Sequence, residues 1–259
     1  MKNLSLTLVQ PNLVWQDRRA NFEKMESLLA AAESVGDIIL LPEMFTTGFS
    51  MAPDNLFDVP RGETLQWLQK MAMRHDAAVS GSAIIKDDGN YYNRLYFVYP
   101  TGEFKTYDKR HLFTLAGEEK VYTAGTEHLF VDYKGWRIMP LVCYDLRFPV
   151  WCRNTTDVDL QIFVANWPER RSMPWKALLK ARAIENMCYV AGLNRVGDDG
   201  NGVSHSGDSG VYDELGNEVE MLTSFKEEVV TIELDRQKML DSRQRFQFLS
   251  DRDSFGLAY

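Results

Sequence analysis

The chain has 259 residues, 45% hydrophobic and 25% charged, so it is long enough to bury a sizeable core beneath a solvated surface. Its 37 acidic and 29 basic side chains give a net charge of -8, which argues against nucleic acid as a partner, because phosphate binding needs a cationic face. No apolar run approaches the roughly 18 to 20 residues that cross a bilayer, and the first residues lack the apolar segment of a signal peptide. We therefore expect a cytoplasmic protein that does not contact membranes.

The beginning of the chain predicts a parallel pair of strands joined by a helix. Residues 4–10 alternate like a half-buried strand, residues 17–35 carry apolar side chains at helical spacing, and residues 37–42 form a short apolar run. A strand, helix, strand succession of this length is typical of a parallel crossover. Glu43 follows directly, at the carboxyl end of a strand, where open α/β sheets tend to place their chemistry.

The middle of the chain predicts a second helix followed by a series of strands. Residues 63–75 have helical apolar spacing, and turn residues at 87–90 and 101–103 separate β-rich runs that we expect to pair antiparallel. Lys109 follows the third of these runs. The predicted strands here are residues 77–85, 91–99, 104–108, 129–133 and 136–143.

The last part predicts a helix at residues 172–187, with Leu178, Ala181 and Ile184 on its inner face, and then a polar helix. The aromatic tail, residues 244–259, is expected to pack on the body or on a second subunit. The sequence contains no internal repeat and no linker, which favours a single domain over residues 1–259. The predicted strands of this part are residues 159–165, 189–194 and 228–234, with a hairpin turn at 211–217.

Cysteine and histidine usage indicates neither disulfides nor a metal site. Cys143, Cys152 and Cys188 form no CxxC pair, so we expect free thiols. The four histidines are scattered without metal-ligand spacing, and no glycine-rich phosphate-binding motif is present. We expect no metal and no cofactor.

Three polar residues at predicted strand ends could form a nucleophilic site. A thiol with an ordinary pKa is only a few per cent ionised at neutral pH, so Cys143 needs a base, for which Glu43 is the candidate. Lys109 and the backbone N–H of Tyr144 are candidates for stabilising an oxyanion. Taken singly, each residue also fits a structural role, as a core cysteine, a surface carboxylate or a solvated lysine.

In combination, these residues resemble a known family. The blocks LPE at residues 41–43, YDKRHLF at 107–113 and VCYDLRFP at 142–149 are similar, in the same order, to the signature blocks of the nitrilase, or carbon–nitrogen hydrolase, superfamily. The likeness extends to NWP at 166–168 and KARAIEN at 180–186. It implies a four-layer α-β-β-α sandwich that pairs into a homodimer, and a Glu-Lys-Cys triad that cleaves non-peptide C–N bonds through a thioester.

The resemblance also implies roles for residues around the triad. A second glutamate in the loop after the lysine positions the substrate in many relatives; counting back from Gly125 selects Glu118, with Glu119 as the alternative. Asp145 and Arg147 are expected to brace the turn below the nucleophile rather than to touch the substrate.

Within the superfamily, the blocks are most similar to those of the omega-amidases, which deamidate 2-oxoglutaramate and related monoamides of dicarboxylic acids. Such a small-molecule substrate needs a cation for its distal carboxylate, for which Arg170 and Arg171 are the candidates. Phe45, Phe49 and Trp167 are candidates for the pocket wall.

Several alternative functions remain open from the sequence. Another hydrolase of the superfamily, such as an aliphatic amidase, an N-carbamoyl hydrolase or a nitrilase, would use the same triad. A non-catalytic interaction module on the same fold, or a thiol redox sensor pairing Cys143 with Cys152, would not hydrolyse an amide.

Overall fold

The computed structural model describes residues 2–257, so the last two residues of the predicted tail lie outside the described part. Strands make up most of the framework. The first five are β1 (Leu4–Gln10), β2 (Ile38–Leu40), β3 (Ala78–Asp87), β4 (Asn90–Val98) and β5 (Phe104–Asp108). The next four are β6 (Val131–Tyr133), β7 (Trp136–Val142), β8 (Leu160–Val164) and β9 (Tyr189–Leu193). The last five are β10 (Val196–Asp198), β11 (Ser204–Ser206), β12 (Gly210–Tyr212), β13 (Glu218–Met221) and β14 (Glu228–Leu234).

Two six-stranded sheets have the same pattern of parallel and antiparallel neighbours, although the edge strand beside β1 is β14, from the end of the chain, and the edge strand beside β7 is β6. Their strand orders are β14-β1-β2-β3-β4-β5 and β13-β12-β9-β8-β7-β6. In each sheet three parallel strands, β1 to β3 or β7 to β9, lie in the centre, and antiparallel strands flank them. Because the sequence contains no internal repeat, this two-fold repetition of topology is visible in the structure alone.

Four α-helices cover the sheets: α1 (Arg18–Ala31), α2 (Glu63–His75), α3 (Ser172–Asn186) and α4 (Arg236–Phe246). The helix α1 begins where the Asp17 side chain accepts a hydrogen bond of 2.9 Å from the N–H of Ala20, which satisfies one of the free donors of the first turn. It ends four residues earlier than predicted, at Ala31, because Ala32 has extended backbone angles.

The core has two parts that define four layers. Alternation along β1 directs Leu4, Leu6 and Leu8 toward the second sheet, whereas Val9 faces the helices α1 and α2. The second sheet packs with its other face against α3, through residues such as Trp175. The resulting helix, sheet, sheet, helix order confirms the predicted α-β-β-α sandwich.

The predicted inner face of α3 is wrong by about one residue. Ile184, expected in the core, is 47% exposed, and Leu178 is only half-buried, while Leu179 and Ala183 are buried instead. The prediction failed because a polar residue, Arg182, is also buried on this face: its guanidinium donates to the carbonyl of Leu146 at 2.7 Å. Apolar spacing alone cannot detect such a residue.

The chain after α4 contributes exposed apolar side chains. Phe248 and Phe255 are exposed on the surface, and the ring of Phe246 stacks on Phe248 at 5.3 Å between centroids. Within residues 2–257, the helices are all too short or too polar to traverse a lipid bilayer.

Candidate active site

A cavity of about 620 Å³ opens where the two sheets meet, at the carboxyl ends of β2, β7 and β8. Two of the lining residues lie just beyond these strands. Cys143 directly follows β7, and Asn166 lies two positions after the end of β8. Glu43, beyond β2, and Lys109, directly after β5, also line it. The three polar residues predicted from separate parts of the sequence therefore face one cavity.

Cys143 occupies a tight turn directly after β7. It is the first residue of a short 3₁₀-helix, Cys143–Arg147, and its backbone φ is +45°, in the left-handed region that residues with a side chain seldom adopt. Asp145 holds this turn: its fully buried carboxylate accepts hydrogen bonds from the N–H of Val142 at 3.0 Å and from the Tyr107 hydroxyl at 2.7 Å. The turn directs the Cys143 thiol into the cavity rather than into the core.

Lys109 lies between two carboxylates. Its Nζ is 2.8 Å from Glu43 Oε1 and 2.9 and 3.1 Å from the two oxygens of Glu118, and its side chain is 1% exposed. Burial by itself would lower the pKa of Lys109, but the charges of Glu118 and Glu43 outweigh it and raise the pKa above its ordinary value. Lys109 is therefore an ammonium ion, although its side chain is buried.

Glu43 is fixed by donors from both sheets. Its Oε1 accepts from Lys109 and from the amide of Asn93, each at 2.8 Å, and its Oε2 accepts from the backbone N–H of Asn166 at 2.8 Å. The thiol of Cys143 lies within hydrogen-bonding reach of the same carboxylate. A base held by these three donors has one orientation relative to the thiol.

The structure distinguishes between the two adjacent glutamates of the following loop. Glu118 is fully buried, and its carboxylate also accepts from the N–H of Phe113 at 2.6 Å, whereas Glu119 is exposed. Burial raises the pKa of Glu118, and Glu43 adds to this effect, while Lys109 opposes it. Within residues 2–257, the groups recorded as hydrogen-bonded to the Glu118 carboxylate are donors, namely Lys109, Asn93 and the N–H of Phe113.

The resting thiol of Cys143 is protonated. Burial raises its pKa well above the ordinary value, the negative charge of Glu43 raises it further, and the ammonium of Lys109 lowers it only in part. The thiol therefore reacts through transfer of its proton to a neighbouring base and not through a standing population of thiolate.

Four of the five predicted substrate-contacting residues line the cavity, namely Tyr144, Trp167, Arg170 and Arg171. Phe45 is the exception. Its ring packs at 6.2 Å from Phe22 and at 5.6 Å from Trp67, measured between centroids, in the layer of α1 and α2.

The reason is local: the backbone N–H of Phe45 bonds to the carbonyl of Ser82 at 3.0 Å, so this part of the loop continues along β3 and turns the ring toward the helices. Phe49, further along the same loop, takes the position in the cavity wall. Its ring lies 5.2 Å from Nζ of Lys109.

Arg147 also differs from the prediction. The sequence predicts that it braces the turn, but its guanidinium lies over the ring of Trp167, 4.9 Å from the centroid, and forms part of the cavity wall. Of the two residues predicted to brace the turn, Asp145 makes bracing contacts, which include the His111 side chain at 2.9 Å.

Two asparagines in the site have roles that sequence reasoning missed. Asn166 donates from its backbone to Glu43, and Asn93, in the middle of β4, contacts both Glu43 and Glu118. The NWP block pointed to Asn166 without giving it a contact. Asn93 carried no signal, because a lone polar residue within a strand is usually on the solvent side.

Comparisons with known proteins agree with this geometry. The carbon–nitrogen hydrolase family profile matches residues 5–244. The chain is 46% identical to the omega-amidase YafV of Yersinia enterocolitica, covering 98% of this chain and 99% of that protein, and 32% identical to the 2-oxoglutaramate amidase of Bacillus subtilis, covering 95% and 96%. Among solved structures, XC1258 of Xanthomonas campestris, a CN-hydrolase superfamily protein with an arsenic adduct in its active site, superimposes with a TM-score of 0.97 at 43% identity and full coverage of both chains.

Proposed function

The chain belongs to the carbon–nitrogen hydrolase family, and we propose that it is an omega-amidase that hydrolyses the terminal carboxamide of 2-oxoglutaramate and related dicarboxylic acid monoamides to the acid and ammonia. The observation that carries the proposed chemistry is the contact of Lys109 with Glu43 and Glu118 beside the thiol of Cys143. An acid–base group, a cation and a nucleophile in one cavity are what amide hydrolysis requires.

In the first step Cys143 Sγ attacks the carboxamide carbon while its proton passes to Glu43. Because the resting thiol is protonated, the attack and the proton transfer are coupled. The C–N bond then breaks as Glu43 returns the proton to the leaving nitrogen. Ammonia departs, and the acyl group remains on Cys143 as a thioester.

The tetrahedral intermediate carries a negative oxygen that needs donors. Lys109 can supply one, since its two contacts with Glu118 can share one N–H and leave another free. The N–H of Tyr144 can supply the second, because it lies in the first turn of a 3₁₀-helix, where backbone donors have no partner within the helix.

Water completes the reaction. Glu43, again ionised after ammonia has left, takes a proton from a water molecule that attacks the thioester carbon. The C–S bond breaks, the proton returns to sulfur, and the dicarboxylate product leaves. The same carboxylate acts as base and acid in both half-reactions.

The cavity wall is suited to the second carboxylate of such a substrate. Arg147, Arg170 and Arg171 line it and form no ion pair within residues 2–257, although the chain has a net charge of -8. Burial, and then the charge of Arg170, lower the pKa of Arg171. An anion placed among the three guanidinium groups would relieve this repulsion and form charge-assisted hydrogen bonds.

We further propose a cytoplasmic homodimer of single-domain subunits spanning residues 1–259. The shared core between the two sheets supports one domain, and the exposed aromatic rings of Phe246, Phe248 and Phe255 support association through the tail.

The decisive experiment measures ammonia released from 2-oxoglutaramate, succinamate, glutamine and a simple nitrile. We expect the two monoamides lacking an α-amino group to be the best substrates. Preference for the nitrile, or release of carbon dioxide with ammonia from an N-carbamoyl compound, would identify another activity of the family. No ammonia from any amide would refute the proposal.

The nucleophile is tested by Cys143→Ala, for which we expect no detectable ammonia release and an unchanged circular dichroism spectrum. The matched control is Cys188→Ala, since Cys188 is also buried and free but lies away from the cavity. Turnover by Cys143→Ala at the wild-type rate would exclude the thioester mechanism.

A further inference from the structure

The amide of Asn93 lies between the two carboxylates of the site. Asn93 is buried in the middle of β4, and its Nδ2 is 2.8 Å from Glu43 Oε1 and 3.3 Å from Glu118 Oε1. A primary amide has two N–H groups that point in different directions, so it can donate one to each carboxylate.

A second residue fixes the orientation of this amide. Ser82 Oγ accepts a hydrogen bond of 2.9 Å from the backbone N–H of Met44, which can only donate. The Ser82 hydroxyl hydrogen is therefore available to Asn93 Oδ1, at 2.7 Å. The oxygen of Asn93 is held on Ser82, and its nitrogen must face Glu43 and Glu118.

The charges around Glu43 explain why neutral donors matter here. The titratable groups that face it are Lys109 after β5, Glu118 and Tyr122 on the loop that follows, and Cys143 after β7. Lys109 is the single cation among them and is shared by two carboxylates. Asn93 adds a donor to each carboxylate without adding a charge.

We propose that Asn93, held by Ser82, is a positioning residue that keeps Glu43 and Glu118 ionised and apart, so that Glu43 can receive the proton of Cys143. This inference rests on the proposed amidase chemistry. Asn93 does not line the cavity, so it acts on the substrate only through the carboxylates. Its removal should therefore change kcat and the pH dependence more than KM.

The test is Asn93→Leu, which keeps the branching and the number of side-chain heavy atoms and removes both donors. The pH dependence of kcat/KM for ammonia release from succinamate is measured for this variant and for the wild type. Losing hydrogen bonds to a charged carboxylate raises its pKa, so the acid limb should move to higher pH by about one unit. We expect kcat at pH 7 to fall about tenfold or more and KM to change much less.

Ser82→Ala provides a milder version that retains the Asn93 side chain. It removes the group that orients the amide, so the acid limb should move in the same direction by a smaller amount. The matched control is Ser80→Ala, because Ser80 is buried on the same strand and its hydroxyl has no hydrogen-bond partner within residues 2–257. This control should keep the wild-type profile.

The rate at which iodoacetamide alkylates Cys143, measured against pH, gives a second comparison of the wild type and the variants that does not require turnover. The thiol proton must still pass to Glu43 in this reaction. An acid limb at the wild-type position in both Asn93→Leu and Ser82→Ala would overturn the inference, even if kcat fell. If Asn93→Leu does not fold, Ser82→Ala decides alone. A wild-type enzyme that releases no ammonia would instead refute the proposed function, while the alkylation profiles would still test Asn93.

Discussion

Two buried carboxylates, those of Glu43 and Glu118, each form an ion pair with the buried ammonium of Lys109. A buried charge without a partner is strongly unfavourable, so the ammonium of Lys109 and the two carboxylates depend on the contacts between them. This group lies beside Cys143. In a buried site it interacts strongly with the thiol proton and with the negative oxygen of the tetrahedral intermediate.

Replacing Glu43 by Gln tests this mutual dependence. We expect amide hydrolysis to fall by about 10² to 10⁴, the usual contribution of a general base. At the same time the pKa of Cys143 should fall, because two causes that raise it, the charge and the hydrogen bond of Glu43, are lost while Lys109 remains. Thiolate absorbance in the ultraviolet should therefore appear at lower pH than in the wild type.

The thiolate absorbance of Cys143→Ala, measured over the same pH range, is subtracted from each titration. This removes the contribution of the other two cysteines. A Glu43→Gln variant whose Cys143 titrated at the same pH as the wild-type thiol, or at a higher one, would contradict this account of the site.

The arginines of the cavity wall are tested by the choice of substrate. In Arg171→Leu, kcat/KM for succinamate should fall about 10- to 100-fold, as expected for a lost hydrogen bond to a charged group. Butyramide, which has the same amide but no carboxylate, should be affected little. An equal loss for both amides would mean that Arg171 supports the cavity without binding the carboxylate.

The sequence was informative at this scale where a residue belongs to a continuous block. Glu43, Lys109 and Cys143 each lie in such a block, and the structure brings them to one cavity. Asn93 and Phe45 show the limit, because a residue's contacts depend on which way a strand or loop faces, and this is set by distant parts of the chain.

At the scale of elements, strand positions followed the apolar pattern closely, since β1 and β14 have the predicted bounds. The inner face of α3 did not, because Arg182 is buried there by a hydrogen bond and not by hydrophobicity. Periodicity reports which residues are apolar, whereas burial also depends on the acceptors that the neighbouring layer offers.

The two faces of α3 give a direct stability test. Leu179→Ala should lower the free energy of unfolding by about 2–5 kcal/mol, because it opens a cavity against the second sheet. Ile184→Ala, five residues further along and 47% exposed, should cost about 0.5 kcal/mol or less. Urea unfolding of the two variants measures both values, and a larger loss for Ile184→Ala would mean that the predicted face was right.

At the scale of the molecule, the two sheets repeat one topology and enclose the cavity at the edge where their central strands end. Each half contributes different chemistry: β2 and β5 lead to Glu43 and Lys109, whereas β7 leads to Cys143. The sequence did not reveal the repetition, because the two sheets share an arrangement of strand directions and not a pattern of residues.

The tail gives the prediction that concerns assembly. In Phe248→Ser, the proposed dimer should dissociate at concentrations where the wild type remains associated, because an exposed aromatic anchor is removed; analytical ultracentrifugation measures this. Phe225→Ser is the matched control, as Phe225 is 62% exposed on the turn before β14. Dissociation in the control alone would locate the interface elsewhere.

Cys143 has a left-handed backbone conformation, φ +45°, which glycine adopts with less strain than any residue with a side chain. Stability therefore favours glycine at this position, whereas catalysis requires cysteine. A laboratory selection that rewarded heat resistance alone would drift toward losing the sulfur. Such a selection has to score product formation in every round if it is to return a working enzyme.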